Sequence, residues 1–361
     1  MKRRGVACCS MALAAAAAAI VAGFAIGRPK SLLDYATPVA DYRAWQDSRV
    51  MNPELLEYCW LSPTEVLYLG AKGSASAQLM RKRIDRAAEP AKAIPARLPF
   101  GATNWQVSPD GKWICWSGPG SLVLPIQSRY HVLSLDGTTA RAIGSNGMDA
   151  EWSEDCTSIY TRSPAGERAI RKTSISSGRF QDLATPEYAS QKNISGSMAS
   201  LPIVMHVFKD GRILVAEHGP FYMAKRPNFN PRKFNTKSVE FVVYDVNNPS
   251  APRDRWSVNA PVDTDNGYVR ASPQGDKLFW TTSKMVVSPI DQAVHAIIRS
   301  HNVRPCRLAR LMISDIHGHG IHSIAEYWST PLGDVTRMLW TPDGKQISFS
   351  MNGRLYTIPA D

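Results

Sequence analysis

Glu151, His206 and Arg270 stand at one place in three successive copies of a repeated strand. A carboxylate beside an imidazole can take and return a proton, and a guanidinium beside them can clamp an anionic substrate. The other copies supply Trp60, Gln106 and Leu339 at that place. Two residues earlier come Tyr58, Asn104, Asp149, Val204, Tyr268 and Arg337. Strand alternation would turn this polar set away from the apolar residues Leu61, Val107, Trp152, Val207, Ala271 and Trp340 and toward a common axis. A ligand site and a channel wetted only by water are both open readings. Asn104, Asp149 and Glu151 also offer oxygen ligands, and a Ca²⁺ site would need all three within about 2.3–2.6 Å of one ion. We expect ligand binding at Asn104, Asp149, Glu151, His206, Tyr268, Arg270 and Arg337, and assign no catalytic residue, metal or cofactor.

The segment Asp315-Ile316-His317-Gly318-His319-Gly320-Ile321-His322 places three imidazoles within six residues, a pattern able to take Zn²⁺ or Cu²⁺. The repeat alignment sets His317 to Gly320 where other copies carry Asp136-Gly137 and Ser177-Gly178. The glycines then serve an outer hairpin turn, and no metal site is assigned there.

Two long segments carry excess positive charge. About 216 to 238 holds Lys225, Arg226, Arg232, Lys233 and Lys237 against Glu217, a net of +4, with Phe221, Tyr222 and Phe229 among them. About 283 to 307 holds Lys284, Arg299, Arg304 and Arg307 against Asp291, a net of +3. Within it Ser288-Pro289-Ile290-Asp291 reads as a helix start, with Ile290, Val294, Ile297 and Ile298 on one face. Adjacent copies would put both segments at one face, where they would form a basic, partly aromatic lid for an anionic partner. Solvated surface loops are the alternative.

The elements that position these groups follow from the rest of the chain. Its 361 residues, 44% of them hydrophobic, can bury a large core. The formal net charge is +11, but Lys2, Arg3, Arg4, Arg28 and Lys30 flank one apolar run and leave +6 for the remainder. No like-charge block interleaved with aromatics occurs, which argues against a nucleic-acid reader. Residues 5 to 27 are Ala-rich and uncharged, a signal peptide or a signal-anchor helix. Basic residues ahead of that run would stay in the cytoplasm and export the rest to the periplasm or cell surface, anchored to the inner membrane or secreted. Cys59, Cys115, Cys156 and Cys306 are widely spaced without a C-x-x-C pair, so disulfides are permitted but not specified.

Internal repeats decide the fold. Ser108-Pro109-Asp110-Gly111-Lys112 precedes Trp113-Ile114-Cys115-Trp116-Ser117, and Thr341-Pro342-Asp343-Gly344-Lys345 precedes Gln346-Ile347-Ser348-Phe349-Ser350. Weaker copies begin at Ser272 and Lys209, and decayed ones at Trp152 and Leu61. In each, a strand ends, Pro and Asp start a tight turn, Gly tolerates positive φ and an alternating run begins the next strand. A second hairpin follows most copies, giving four strands per repeat.

The Ser-Pro-Asp-Gly-Lys turn with its following Ile-x-Phe strand resembles the repeats of TolB-like β-propellers, relatives of the WD-repeat fold, over about residues 55 to 359. That resemblance implies six blades around a channel and, commonly, a role in envelope protein interactions. TolB itself carries an α/β domain ahead of its propeller, for which residues 28 to 54 are too few. Peptidase relatives add a hydrolase domain, and no G-x-S-x-G elbow exists here. We therefore expect an all-β, six-bladed propeller over 55–361, preceded by a signal or anchor helix over 1–27 and a linker over 28–54. The sixth copy stops at Ile358-Pro359 after three strands, so its outer strand should come from Pro38 to Trp45. Functionally we expect an envelope scaffold that binds a protein or an anionic polymer through its channel mouth and basic loops. The alternative is a propeller hydrolase or lyase that uses channel carboxylates and His206.

Overall fold

One hydroxyl and one aspartate clasp most of the repeat turns. In the second blade Ser108 Oγ donates to Asp110 Oδ1 at 2.6 Å, and that oxygen accepts the Lys112 N–H at 3.1 Å. Gly111, at φ +68°, donates its N–H to Ser108 O at 2.9 Å, a conformation that costs a residue with a Cβ. The same clasp joins Ser134 to Asp136, Ser153 to Asp155 and Thr341 to Asp343, and Ser272 reaches Asp276 in the fifth blade. Hydrogen bonds from the Ser or Thr hydroxyl, with help from nearby backbone N–H groups, hold the Asp136, Asp155 and Asp343 carboxyls below their ordinary range. At Asp110 burial works the other way, and the clasp still prevails.

A folded-state value below the unfolded one adds stability above the unfolded carboxylate pKa, about 3.9, and that stability is lost as pH falls through the folded value. The triple variant S108A/S134A/S153A should therefore melt below the wild type at pH 6, and the gap should shrink as pH drops below about 3. Melting curves by circular dichroism across pH 2.5–7 check this. A gap independent of pH would count against the clasp.

The computed structural model describes residues 30–42, 45, 57–72, 76–99, 102–117, 130–143, 150–162, 169–184, 203–218, 238–245, 248–259, 269–286, 306–329 and 338–361. These form six four-stranded antiparallel sheets, one per blade. Blade one is β2 (Tyr58–Ser62), β3 (Glu65–Lys72), β4 (Ser76–Arg83) and β5 (Lys92–Pro99). Blade two is β6 (Thr103–Val107), β7 (Trp113–Ser117), β8 (Tyr130–Ser134) and β9 (Ala140–Ile143). Blade three is β10 (Ala150–Trp152), β11 (Ser158–Arg162), β12 (Ala169–Ser174) and β13 (Phe180–Ala184). Blade four is β14 (Ile203–Val207), β15 (Arg212–His218), β16 (Ser238–Asp245) and β17 (Asn248–Asn259). Blade five is β18 (Val269–Ala271), β19 (Lys277–Val286), β20 (Cys306–Asp315) and β21 (His322–Ser329).

Blade six takes β22 (Met338–Trp340), β23 (Gln346–Met351) and β24 (Arg354–Pro359) from the end of the chain and β1 (Thr37–Asp41) from its start, in the order β1-β24-β23-β22. The donor expected over Pro38 to Trp45 is thus β1, which pairs Thr37 with Thr357 and Asp41 with Arg354. The segment around β1 ties three blades together. Trp328 on β21 donates its N–H to Lys30 O at 3.0 Å, and Leu32, 1% exposed, enters the core between blades five and six. Beyond β1, Tyr42 and Trp45 pack with Tyr68 of blade one, whose hydroxyl donates to Trp45 O at 3.2 Å.

Most of the core lies in the seams between blades. Leu67, Leu79 and Leu98 of blade one meet Trp105, Ile114 and Leu133 of blade two, and corresponding clusters fill the other seams. Every blade therefore buries both faces, which is why its central strands read as near-continuous apolar runs. Among the described residues no helix is long and apolar enough to cross a membrane, and the N-terminal apolar run lies outside them. Among the described residues Cys59, Cys115 and Cys156 form no disulfide, and the first two are buried.

Candidate functional site

The inner strands set the candidate residues against neighbouring blades. Glu151 pairs across β10 and β11 with Tyr160, whose ring belongs to the core shared with blade four. Arg270 pairs with Phe279, which packs toward blade six. His206 pairs with Leu214 and faces blade five, where a Cβ on Gly275 would come within 2.7 Å of His206 Nε2. Gln106 Nε2 donates to Ala150 O of blade three at 2.8 Å. The strand position read from the sequence as facing the axis therefore looks into the seam with the next blade. Glu151 and His206 lie on opposite faces of blade four's sheet, so the acid–base pairing of the hydrolase alternative does not form between them.

Bulges shift the register further back along these strands. The pairing slips between Thr103 and Gln106 in β6, across Asn104, and between Val204 and His206 in β14. Val204 consequently shares the blade-three side with Val207 rather than the side of His206. In β2 the slip falls between Trp60 and Ser62, so Trp60 faces blade six and Cys59 takes the position that Gln106 holds in blade two. Asp149, Tyr268, Arg337, Lys225, Arg226, Arg232 and Lys233 lie outside the described residues, as does the helix start at Ser288.

The seam between blades six and one holds a polar node that the sequence reading missed. Ser348 Oγ accepts from Tyr58 Oη at 2.9 Å and from Trp60 Nε1 at 2.8 Å, and donates to Leu339 O at 3.0 Å. Tyr58-x-Trp60 is its sequence trace, since period-two spacing puts both polar tips on one face. Similar staples hold other seams: Trp340 Nε1 donates to Arg270 O at 3.1 Å, and Trp105 Nε1 to Glu57 Oε2 at 3.3 Å.

Burial alone pushes the His206 imidazole down to about 4. Its ring stands edge-on to Phe208, with centroids 4.8 Å apart. The outer histidines are engaged one by one. His317 Nδ1 lies 2.8 Å from Asp254 Oδ2 of blade four, His319 Nδ1 lies 3.0 Å from Asp315 Oδ2, and His322 Nδ1 lies 2.8 Å from Gly320 O. Three imidazoles with three separate acceptors do not converge on one ion. Gly318, at φ +81°, lets the turn lie on Trp256, which would stand 2.3 Å from a Cβ there.

Blade five carries the longest ladder between second and third strands among the described residues. β19 and β20 pair at ten successive positions from Lys277–Asp315 to Val286–Cys306, so Ser283 to Val286 and Cys306 to Arg307, read from the sequence as loop, are ladder. β15 pairs with β16 as far as His218–Val239. Antiparallel topology then puts the strand ends His218 and Val239, and Val286 and Cys306, on adjacent blades at the end opposite the Ser-Pro-Asp-Gly turns.

No protein-family model matches the chain, and no curated protein is similar to it in sequence. Solved structures with a similar fold include TolB from Acinetobacter baumannii, 14% identical, with a TM-score of 0.43 over 82% of this chain and 64% of that one. The chain thus spans less than two thirds of that protein's length. The β-propeller domain of the Trilobed protease from Pyrococcus furiosus is 13% identical, with a TM-score of 0.41 over 82% of this chain and 79% of that one. The WD40 domain from Toxoplasma gondii coronin is 10% identical, with a TM-score of 0.44 over 92% of this chain and 86% of that one. The sheet order itself makes the chain a six-bladed β-propeller whose N-terminal strand completes the last blade.

Proposed function

We propose that the chain is an extracytoplasmic binding scaffold that receives an anionic partner on the face from which 219–237 and 287–305 emerge. The partner is an acidic envelope protein or a carboxylate-rich or phosphate-rich polymer. The observation that supports this reading is that β15–β16 ends at His218–Val239 and β19–β20 at Val286–Cys306, so the strand ends flanking both basic stretches of sequence lie at one end of adjacent blades. Residues 219–237 contain Lys225, Arg226, Arg232, Lys233 and Lys237 and no acidic residue. A rigid scaffold that presents clustered positive charge raises the local concentration of anions and speeds their association. Glu151, His206 and Arg270 stand close to the Ser-Pro-Asp-Gly turns, in seams at the other end of the blades from that face. Export through the N-terminal apolar run supplies the compartment in this reading.

The variant K225E/R226E/R232E/K233E exchanges four positive charges for four negative ones. It should lose retention on immobilised poly-glutamate and polyphosphate at low salt. The wild type should be retained and then released as salt shortens the screening length toward about 8 Å at physiological ionic strength. Melting temperature should stay within a degree or two, because exposed charge contributes little to folding. Equal retention of variant and wild type would refute the basic face.

A further inference from the structure

The seam between blades four and five has an imidazole where the equivalent inner-strand positions carry Gln106, Glu151, Arg270 and Leu339. His206 Nε2 lies against Gly275, in the turn that joins β18 to β19, and Gly275 is buried at φ +70°. The ring is flanked by Phe208, edge-on at 4.8 Å, and its cross-strand neighbour Leu214 is fully buried in the apolar cluster of Met205, Phe241, Leu278 and Trp280. Charged groups on the packed elements are committed elsewhere. Asp210 accepts from Arg212 Nε at 2.6 Å, and the Arg212 guanidinium lies over Phe208 at 4.7 Å. Lys209 reaches Glu154, Asp276 accepts from Ser272 Oγ at 2.6 Å, and Lys277 reaches Ala360 O and Asp361. None of them offsets the effect of burial on the imidazole.

We infer that His206 is an acid-sensitive wedge: taking up a proton forces its ring toward water, past Gly275, and loosens the seam between blades four and five. An imidazolium needs full hydration or a carboxylate; while closed, this seam leaves the half-buried ring only partly within reach of water, and no described carboxylate faces it. Opening lets the ring protonate at its ordinary value of about 6.5, so acid favours the open seam. The device needs no other residue to titrate. The strands of these two blades also flank the basic segments, so acid release of a partner would follow; that consequence alone rests on the basic-face reading above.

The test is hydrogen exchange of the β14 and β18 amides between pH 7.5 and pH 5, corrected for the intrinsic pH dependence of exchange. Seam opening should rise about thirty-fold over that range, since each pH unit below the ordinary imidazole value contributes up to tenfold. His206→Gln and His206→Met stay neutral throughout and should show a flat profile; two variants guard against one that folds poorly. Protection that does not change with pH in the wild type would overturn the wedge, as would a rise that persists in both variants. Retention on poly-glutamate, measured separately at pH 7.5, keeps failure of the basic face distinct from failure of the wedge.

Discussion

Tyr42→Ala should lower the unfolding free energy by about 3–5 kcal/mol, the range for truncating a fully buried aromatic. Tyr42 is 0% exposed and lies at the end of the strap that joins the start of the chain to its finish. Its backbone N–H donates to Gly353 O at 3.0 Å, in the Asn352-Gly353 turn between β23 and β24. Both turn residues have positive φ, at 50° and 77°, and this Asn-Gly pair gives a rigid two-residue hairpin. The Tyr42 ring enters the cluster of Tyr58, Val66, Tyr68 and Leu355, which belongs to blades one and six. β1 itself contributes little burial, because all five of its residues are exposed or half-buried. The strap is therefore held by its flanks, Leu32 on one side and Tyr42 on the other. Loss of either flank should let β1 peel from β24 and leave an open sheet edge. Denaturant titration gives the free energy, and limited proteolysis between Lys30 and Asp41 gives the peeling. Tyr35→Phe is the matched control: it removes only a hydroxyl that donates to Glu326 O at 2.9 Å, and should cost under about 1 kcal/mol. A Tyr42→Ala protein as stable and as protease-resistant as that control would show that the strap does not close the ring.

The blade count was legible because turns are local. Ser108, Asp110 and Gly111 act on one another across a few bonds, so their identities announce the hairpin wherever it sits. The donor strand was legible by elimination, since three strands at the end of the chain leave an edge and one apolar-edged segment at the start is unassigned. Side-chain direction was not legible. A propeller's inner strand is covered on both faces, so alternation separates two seams and does not mark an axis; Glu151, His206 and Arg270 were read as channel residues for that reason. Counting back from a turn also fails at a bulge. The extra residue near Leu61 moved Trp60 to the blade-six side, and the one near Met205 parted Val204 from His206. The position of the basic segments came from a third kind of signal, loop length. Even there, the ladder β19–β20 runs six positions past Trp280, where the apolar pattern of Leu278 to Trp280 gives way to polar residues.

Ser348→Ala removes the shared acceptor of the seam between blades six and one, and we expect it to cost about 2–4 kcal/mol. The change deletes a single oxygen from a side chain that is 0% exposed, so packing loss is small and the effect reports on hydrogen bonding. Tyr58 Oη and Trp60 Nε1 both point at that oxygen from blade one, and its own proton goes to Leu339 O on β22. With the oxygen gone, an indole N–H and a carbonyl lose these bonds in a closed seam, and each unsatisfied group costs about 1–3 kcal/mol. Ser348→Thr separates the two contributions. It keeps the hydroxyl and adds a methyl group, so it should cost about 1–3 kcal/mol if overpacking is the whole penalty, while tryptophan fluorescence reports an undisturbed Trp60. In Ser348→Ala the Trp60 emission should shift as its N–H finds water, and double substitution S348A/W60F should cost less than the sum of the single changes because the indole donor is no longer stranded. Strict additivity in that cycle would mean that Ser348 and Trp60 stabilise the ring independently, and the node would then not be the seal of the seam.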